Sequence, residues 1–419
     1  MNIKNFDNLA TNELRSKALR IADAGIEAIL PENALKESIS LNDGFFRAGK
    51  ETFDISKFKK IYVVGIGKAS FLAAKYLEKI LGDKITEGAI IDVISGKFKK
   101  IRSYEGTHPL PTEKNIEATK DIISILNKSG KDDLVIAIVS GGGSSLLSMP
   151  NKIALPDLQI ATDILFKKGA DIKEMNTIRK HLSQAHGGNL AKLAYPSTVI
   201  GLIFSDIPFS DLSFVASGPT YFDKTTKESA IRVAKKYGLG KLPFCETPKD
   251  KKYFKKVNNI LVLSNKVALK AMKKEAKEMG FEPVICETCL TGEARKLGAK
   301  LIKGAKKGKA LLYGGETTVV IKQKGKGGRN LELVLGALSH LKEGEAIISI
   351  SSDGKDHIKE AAGAIGDMDL IRDMKKAGYD PEQYLNENRS YEFFNNLNGV
   401  IVTGRTGSNV SDLVIVVKE

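Results

Sequence analysis

The sequence predicts an α/β protein built from two three-layer α/β/α domains, with largely parallel, Rossmann-like sheets and an active-site cleft between them. Short apolar runs alternate with amphipathic stretches along the chain, the pattern of βαβ units. At 419 residues the chain is longer than one hydrophobic core ordinarily serves. Glycine-rich or polar clusters follow the apolar runs, at the strand ends where such sheets bind ligands.

The elements follow in chain order. The opening residues lack the apolar stretch of a secretory leader and read as a helix. Leu14, Ala18, Ile21, Ala22 and Ile29 share a face, Thr11 offers a cap, Pro31 ends the pattern, and Gly25 is a weak point. IYVVGIG (61–67) predicts a strand and KASFLAAKYLEKI a helix; GAIIDVIS (88–95) is the next strand. A helix from about Thr112 leads to LVIAIVS, whose unbroken apolar character suits a strand buried on both faces. Two helical stretches follow, the second EMNTIRKHLSQAHGGNLAKLA, and STVIGLIFSDIP (197–208) closes the group. A polar stretch over 239–257 precedes further strand-like runs in NNILVLS, VICE, KALLYGGETTVVIK, EAIISISSDG, GVIVTG and LVIVV. The domains are therefore expected at 1–245 and 246–419, with the final strands free to pack back on the first.

Composition narrows the function classes. Hydrophobic content of 42% and charged content of 27% describe a soluble, cytoplasmic protein, and no run is long enough for a membrane span. Three cysteines cannot form a disulfide framework, and the C-x-x-C pair in CETC has no second pair or nearby histidine to complete a zinc site. The net charge of +15 is spread over helical faces instead of gathered in one basic patch, which argues against nucleic acid and suits steering of small anions.

The clusters supply the candidate chemistry. In VIAIVSGGGSSLLSMP, glycines 141–143 form a turn without side chains, where backbone N–H groups can approach a ligand and the flanking serines add hydroxyls. GIGKAS lacks the spacing of a P-loop and the third glycine of a dinucleotide fingerprint, but it sets Lys68 where a helix begins, a position that favours phosphate. Asp206, at a strand end in SDIPFSD, suits a magnesium ligand or a proton acceptor, although capping is the commoner use of such a residue. SSDGKD supplies Asp353 and Asp356. In GKGGRNLELVLGAL, Arg329 and Asn330 open a helix after a second glycine-rich turn, and a guanidinium there can clamp a carboxylate or phosphate.

GIGKAS, SGGGSSLL, NTIRKHLSQAHGGNLA, SDIPFSDLSFVASGPT, GGETTVVIKQKGKGGRNLEL, SSDGKDHIKEAAGAIGD and TGRTGSNVSDL stand in the order seen in the glycerate 2-kinases of the MOFRL family, which this chain resembles from about residue 61 onward. The resemblance implies ATP-dependent phosphorylation of D-glycerate at its 2-hydroxyl, with magnesium, two α/β domains and no nucleic-acid or membrane partner; a homo-oligomer stays open. It implies catalytic roles for Lys68 and Arg329, and it sets Asp206, the candidate for orienting the 2-hydroxyl or the metal, in a motif facing the cleft. Nucleotide-binding roles fall to Ser140, Gly141, Gly142, Gly143, Ser144, Ser145, Asn189, Gly314, Glu316, Asp353 and Asn409, and metal binding to Asp206 and Asp353; Asp412 lies in a motif facing the cleft. The chain departs from the family pattern at His186, where many relatives have lysine, at Arg405, where proline is usual, and in DGKD, which lacks a second glycine. A hydroxypyruvate reductase and a non-catalytic sugar-acid or nucleotide sensor are the alternatives.

Overall fold

The computed structural model describes residues 1–205 and 211–419. Asp206, a candidate catalytic and metal-binding residue, lies outside the described residues. The chain divides into two compact units.

The first unit starts at Leu35 and ends at Val262. It opens with an antiparallel meander of β1 (Ile39–Asn42), β2 (Phe45–Ala48) and β3 (Glu51–Asp54). Its main sheet holds β4 (Ile61–Ile66), β5 (Ile85–Asp92), β6 (Ile101–Glu105), β7 (Leu134–Ser140), β8 (Thr198–Phe204) and β9 (Val257–Leu263), in the order β6-β5-β4-β7-β8-β9. The five strands from β6 to β8 are mutually parallel. Every residue of β4 and β7 is buried, as expected of strands covered on both faces. The chain moves outward one way from β4 through β5 to β6 and the other way from β7 to β8. The gap between β4 and β7 is thus the switch point of the sheet, and their register pairs Ile66 with Val139 so that both loops leave at the same level.

The second unit holds Met1–Ala34 and Leu263–Glu419. Its sheet contains β10 (Glu282–Leu290), β11 (Lys309–Gly315), β12 (Glu345–Ser351), β13 (Gly363–Asp367), β14 (Val400–Ile401) and β15 (Asp412–Lys418), in the order β10-β11-β15-β12-β13-β14. Only β10 and β11 pair in parallel; the other four pairings are antiparallel. The expectation of largely parallel sheets holds for the first unit and is corrected to a mixed sheet here. A parallel neighbour needs a long crossover, usually helical. No helix joins β12 to β13 or β14 to β15, and the last strand runs back between β11 and β12.

The N-terminal helix, Glu13–Ile29, buries Ala18, Ile21, Ala22 and Ile29 in this second unit. Asn12, not Thr11, caps it by accepting from the Arg15 amide, and Pro31 starts the following helix instead of only ending this one. The helix is fixed by Arg15, whose guanidinium makes two 2.8 Å bonds to buried Asp367. Gly25 is the point of close approach: a Cβ there would stand 2.7 Å from Cγ of Met272 in the helix Asn265–Glu278.

Candidate active site

In the first unit the loops after β4 and β7 interlock at the switch point. The Lys68 amide donates to the Gly141 carbonyl at 3.0 Å. The buried Ser140 hydroxyl donates to the Ile66 carbonyl and accepts from the Ala69 amide, so it braces the two loops. Gly142 is left-handed, with φ +78°, and Lys68 lies over it, Cε only 3.0 Å from where a Cβ would be. The exposed Lys68 side chain is thereby aimed along the glycine turn. The amides of Gly142 and Gly143 have no acceptor among the described residues, whereas Ser145 donates back to the Gly142 carbonyl. Ser144 contacts Ser217, which donates to Asn176. Asn189 donates to the carbonyls of Ser183 and His186, holding the loop that precedes its helix.

The helix that starts at Ser70 is differently placed from a phosphate-binding helix. Its leading amides already serve protein acceptors: Ala69 on Ser140, Ser70 on the Gly67 carbonyl, Phe71 on the Asp92 carboxylate. Burial pushes the Asp92 carboxyl up, against the pull of the Phe71 and Val93 amides. An anion near Lys68 would therefore meet its ammonium and the Gly142–Gly143 turn, and not the amides of this helix.

Three residues around this turn received no site role from the sequence, although His186 stands out there as a departure from the family pattern. His108 is exposed, and its Cδ2 would lie 3.3 Å from a Gly142 Cβ. Desolvation, then the charges of Lys68 and Arg179, hold its imidazole below the usual histidine range. Arg179, near the end of the helix Ile172–His181, lines a cavity with Ser144, Ser145, Ser183 and His186. Burial, and secondarily Arg179, press the His186 imidazole down to about 3, so it is neutral. The available signal was RKH in NTIRKHLSQAHGG, but a basic triplet in a helix does not say which cation lacks an acid.

In the second unit, Arg329 opens the helix Arg329–Ala337. It makes a two-pronged bond to the buried Asp412, at 2.5 and 3.0 Å, while Nη1 stands 2.9 Å from Glu316. Burial opposes its charge, but Asp412 and Glu316 more than offset this and raise its pKa. Asp356 is wholly buried and accepts from the Asn330 and Leu331 amides, capping that same helix; burial raises its carboxyl to about 6. Asp353 is partly buried, with Oδ1 accepting from the Ser351 hydroxyl and the Lys355 amide. Asn409 accepts from the Ser411 amide. Gly314 gives room to Asn265, whose Nδ2 would be 2.8 Å from a Cβ there. Lys68, Ser140–Ser145 and Asn189 thus belong to one unit, and Gly314, Glu316, Arg329, Asp353, Asn409 and Asp412 to the other.

Among the described residues, no set of three or more His, Cys, Asp or Glu side chains is arranged to hold a metal, and no helix is long and apolar enough to cross a membrane. The three cysteines are free thiols.

Two family models match the chain: a domain of unknown function, DUF4147, over residues 17–244, and the MOFRL family over 309–412. A D-glycerate 2-kinase of Thermotoga maritima is 36% identical over 424 residues, covering 96% of this chain and 98% of that protein. A glycerate 2-kinase of Pyrococcus horikoshii is also 36% identical, covering 97% of both. The crystal structure of glycerate kinase from Thermotoga maritima superposes with a TM-score of 0.85 at 34% identity, over 96% of this chain and 99% of that one. With such likeness along nearly its whole length, the chain belongs to the MOFRL family, together with these glycerate 2-kinases.

Proposed function

We propose that the protein is an ATP-dependent kinase that phosphorylates the 2-hydroxyl of D-glycerate, giving 2-phospho-D-glycerate and ADP. The observation that carries this reading is the end-to-end likeness to the D-glycerate 2-kinase of Thermotoga maritima. The seating of Lys68 on the glycine turn supports it from the chemistry.

Phosphoryl transfer asks a protein chiefly to position the reactants and to neutralise charge spreading over the transferring oxygens. The 2-hydroxyl oxygen attacks the γ-phosphorus as the bond to the bridging β–γ oxygen breaks and the hydroxyl proton is released. Lys68 supplies a mobile positive charge beside the Gly142 and Gly143 amides, which together suit phosphate oxygens. Arg329, fixed by Asp412 and Glu316, retains N–H donors for an anionic group. Asp206 is assigned to orienting the hydroxyl or a metal ion.

The described residues do not form an all-protein metal cage. The partly buried Asp353 carboxylate suits a magnesium ion carried in by the nucleotide, which keeps waters and takes one or two carboxylates; Asp353, with Asp206 assigned from the sequence, would hold it. Bound there, magnesium would neutralise charge on the nucleotide phosphates.

The reductase alternative loses ground on geometry. A dinucleotide pyrophosphate sits on the amides at the start of the first helix, and here Ser140, Gly67 and Asp92 take them. The deciding experiment incubates the protein with D-glycerate, ATP and magnesium, coupled to enolase with no phosphoglycerate mutase. Immediate phosphoenolpyruvate formation is expected. A signal only after mutase is added would move the phosphate to the 3-hydroxyl, and NADH oxidation with hydroxypyruvate would overturn the kinase reading.

A further inference from the structure

Arg179 and Lys180 are neighbours with opposite circumstances. Lys180 is buried and stands 3.3 Å from the buried Asp223 carboxylate. Arg179, partly buried, has no carboxylate partner among the described residues. Burial depresses its pKa, and no acid among the described residues offsets this. A cation withdrawn from water without a counter-ion is costly to keep, so it usually marks a place where an anion arrives.

His186 supplies the second observation. The Ser183 hydroxyl oxygen accepts from the amides of Ala185 and His186, and it lies 2.8 Å from His186 Nδ1. With both lone pairs engaged, the Ser183 O–H donates to Nδ1, which puts the proton of the neutral imidazole on Nε2. That Nε2–H is buried and has no well-formed hydrogen bond among the described residues, although the Gly143 backbone favours the charged imidazole. Buried donors are rarely left unpaired, and this one belongs to a residue lining the same cavity as Arg179. Pro109, Pro111, Leu147 and Met149 make much of the remaining lining apolar.

We infer that Arg179 and His186 form a carboxylate site that holds the acid group of the acceptor substrate. The guanidinium fork provides charge and paired donors, and the imidazole N–H provides a neutral donor. The apolar walls suit the carbon skeleton of a small organic acid better than a polyphosphate. That this acid is the phosphoryl acceptor rests on the kinase reading; the carboxylate site does not.

The test uses Arg179→Gln, Arg179→Lys and His186→Gln in the full chain. Unfolding temperature is followed without nucleotide in the presence of D-glycerate, lactate and glycolate, with neutral glycerol as the control. Steady-state kinetics are measured alongside. Carboxylates should stabilise the unsubstituted protein and glycerol should not. Arg179→Gln should abolish this stabilisation and raise KM for glycerate about tenfold to a hundredfold, the scale of one charged hydrogen-bond pair. KM for ATP should stay within about twofold, and Arg179→Lys should recover part of the loss. Without ligand, Arg179→Gln should unfold no earlier than the parent, since it removes an unpaired charge. Absence of carboxylate stabilisation, an unchanged KM for glycerate, a rise confined to KM for ATP, or earlier unfolding without ligand would each overturn the assignment. Carboxylate binding that depends on Arg179 in a protein that leaves glycerate unphosphorylated would sink the kinase reading and support the site.

Discussion

Replacing Gly142 by alanine tests whether the glycine turn exists to seat Lys68. The residue has φ +78°, where an alanine costs about 1–2 kcal/mol. Its Cβ would stand 3.0 and 3.1 Å from Cε and Cγ of Lys68 and 3.3 Å from Cδ2 of His108. Those distances are a few tenths of an ångström too short. The flexible lysine stem can swing aside, so the steric part adds little to the stability loss and instead displaces the ammonium. For a unit of this size the unfolding temperature should fall by about 2–8 °C. A displacement approaching 1 Å costs up to about a hundredfold in rate, so a loss of about tenfold to a hundredfold in kcat is expected. Gly142→Asn separates the two effects, because asparagine tolerates the left-handed region while its Cβ occupies the same space. It should recover most of the unfolding temperature and little of the rate. Enolase-coupled turnover and thermal unfolding read both quantities. Normal kcat in a destabilised Gly142→Ala would refute the reasoning, since the turn would then serve the backbone alone.

Other expectations follow from the same geometry. Lys68→Ala should lower kcat at least about a hundredfold with little change in unfolding temperature, because the side chain is exposed; near-normal coupled turnover would remove it from the mechanism. Asp412→Asn should cost about 2 kcal/mol in urea unfolding, less than a fully buried pair, because Arg329 keeps Glu316 and is 29% exposed; a loss within the error of the urea measurement would show that the pair contributes nothing. Asp356 has its carboxyl raised from 3.8 to about 6, so the folded state holds the proton more tightly. The resulting stability is complete below the unfolded value and lost as pH rises through 6, by about 3 kcal/mol in all. Urea unfolding of the parent and Asp356→Asn from pH 3 to 7 should show the parent losing that much relative to the variant; a constant gap would contradict it.

Much of the fold was legible because burial on both faces writes itself as an unbroken apolar run. LVIAIVS became β7 over the predicted residues, and IYVVGIG became β4 with its glycine turn just beyond. Strand direction was not legible in the second unit. LVIVV reads the same whether its neighbours run with it or against it, and only the lack of a helical crossover before β15 distinguishes the cases. The meander β1–β3 has four-residue strands with exposed and half-buried positions, too short to show a period. Gly25 looked like a flaw in a helix because the sequence does not show Met272 lying against it.

The site divides along the same line between residue type and residue circumstance. Glycines and a lysine after strands could be read directly, since few other residues permit those turns. Whether the nearby amides are free could not. The donors of GIGKAS are taken by Ser140 and Asp92, residues from two other strands, so the sequence cannot show that this helix start is already occupied. Charge poses the same problem more sharply. With 65 basic residues against 50 acidic ones, the excess of cations says little about any one of them. Most basic side chains at the surface need no acid, because water solvates them. Arg179 differs through the combination of partial withdrawal from water, a neighbour that has claimed Asp223, and an imidazole N–H in the same cavity with no well-formed hydrogen bond among the described residues. None of these is a property of the segment RKH. Each depends on elements brought together by folding, which is why the motif NTIRKHLSQAHGGNLA contains Arg179 and His186 without showing what either of them faces.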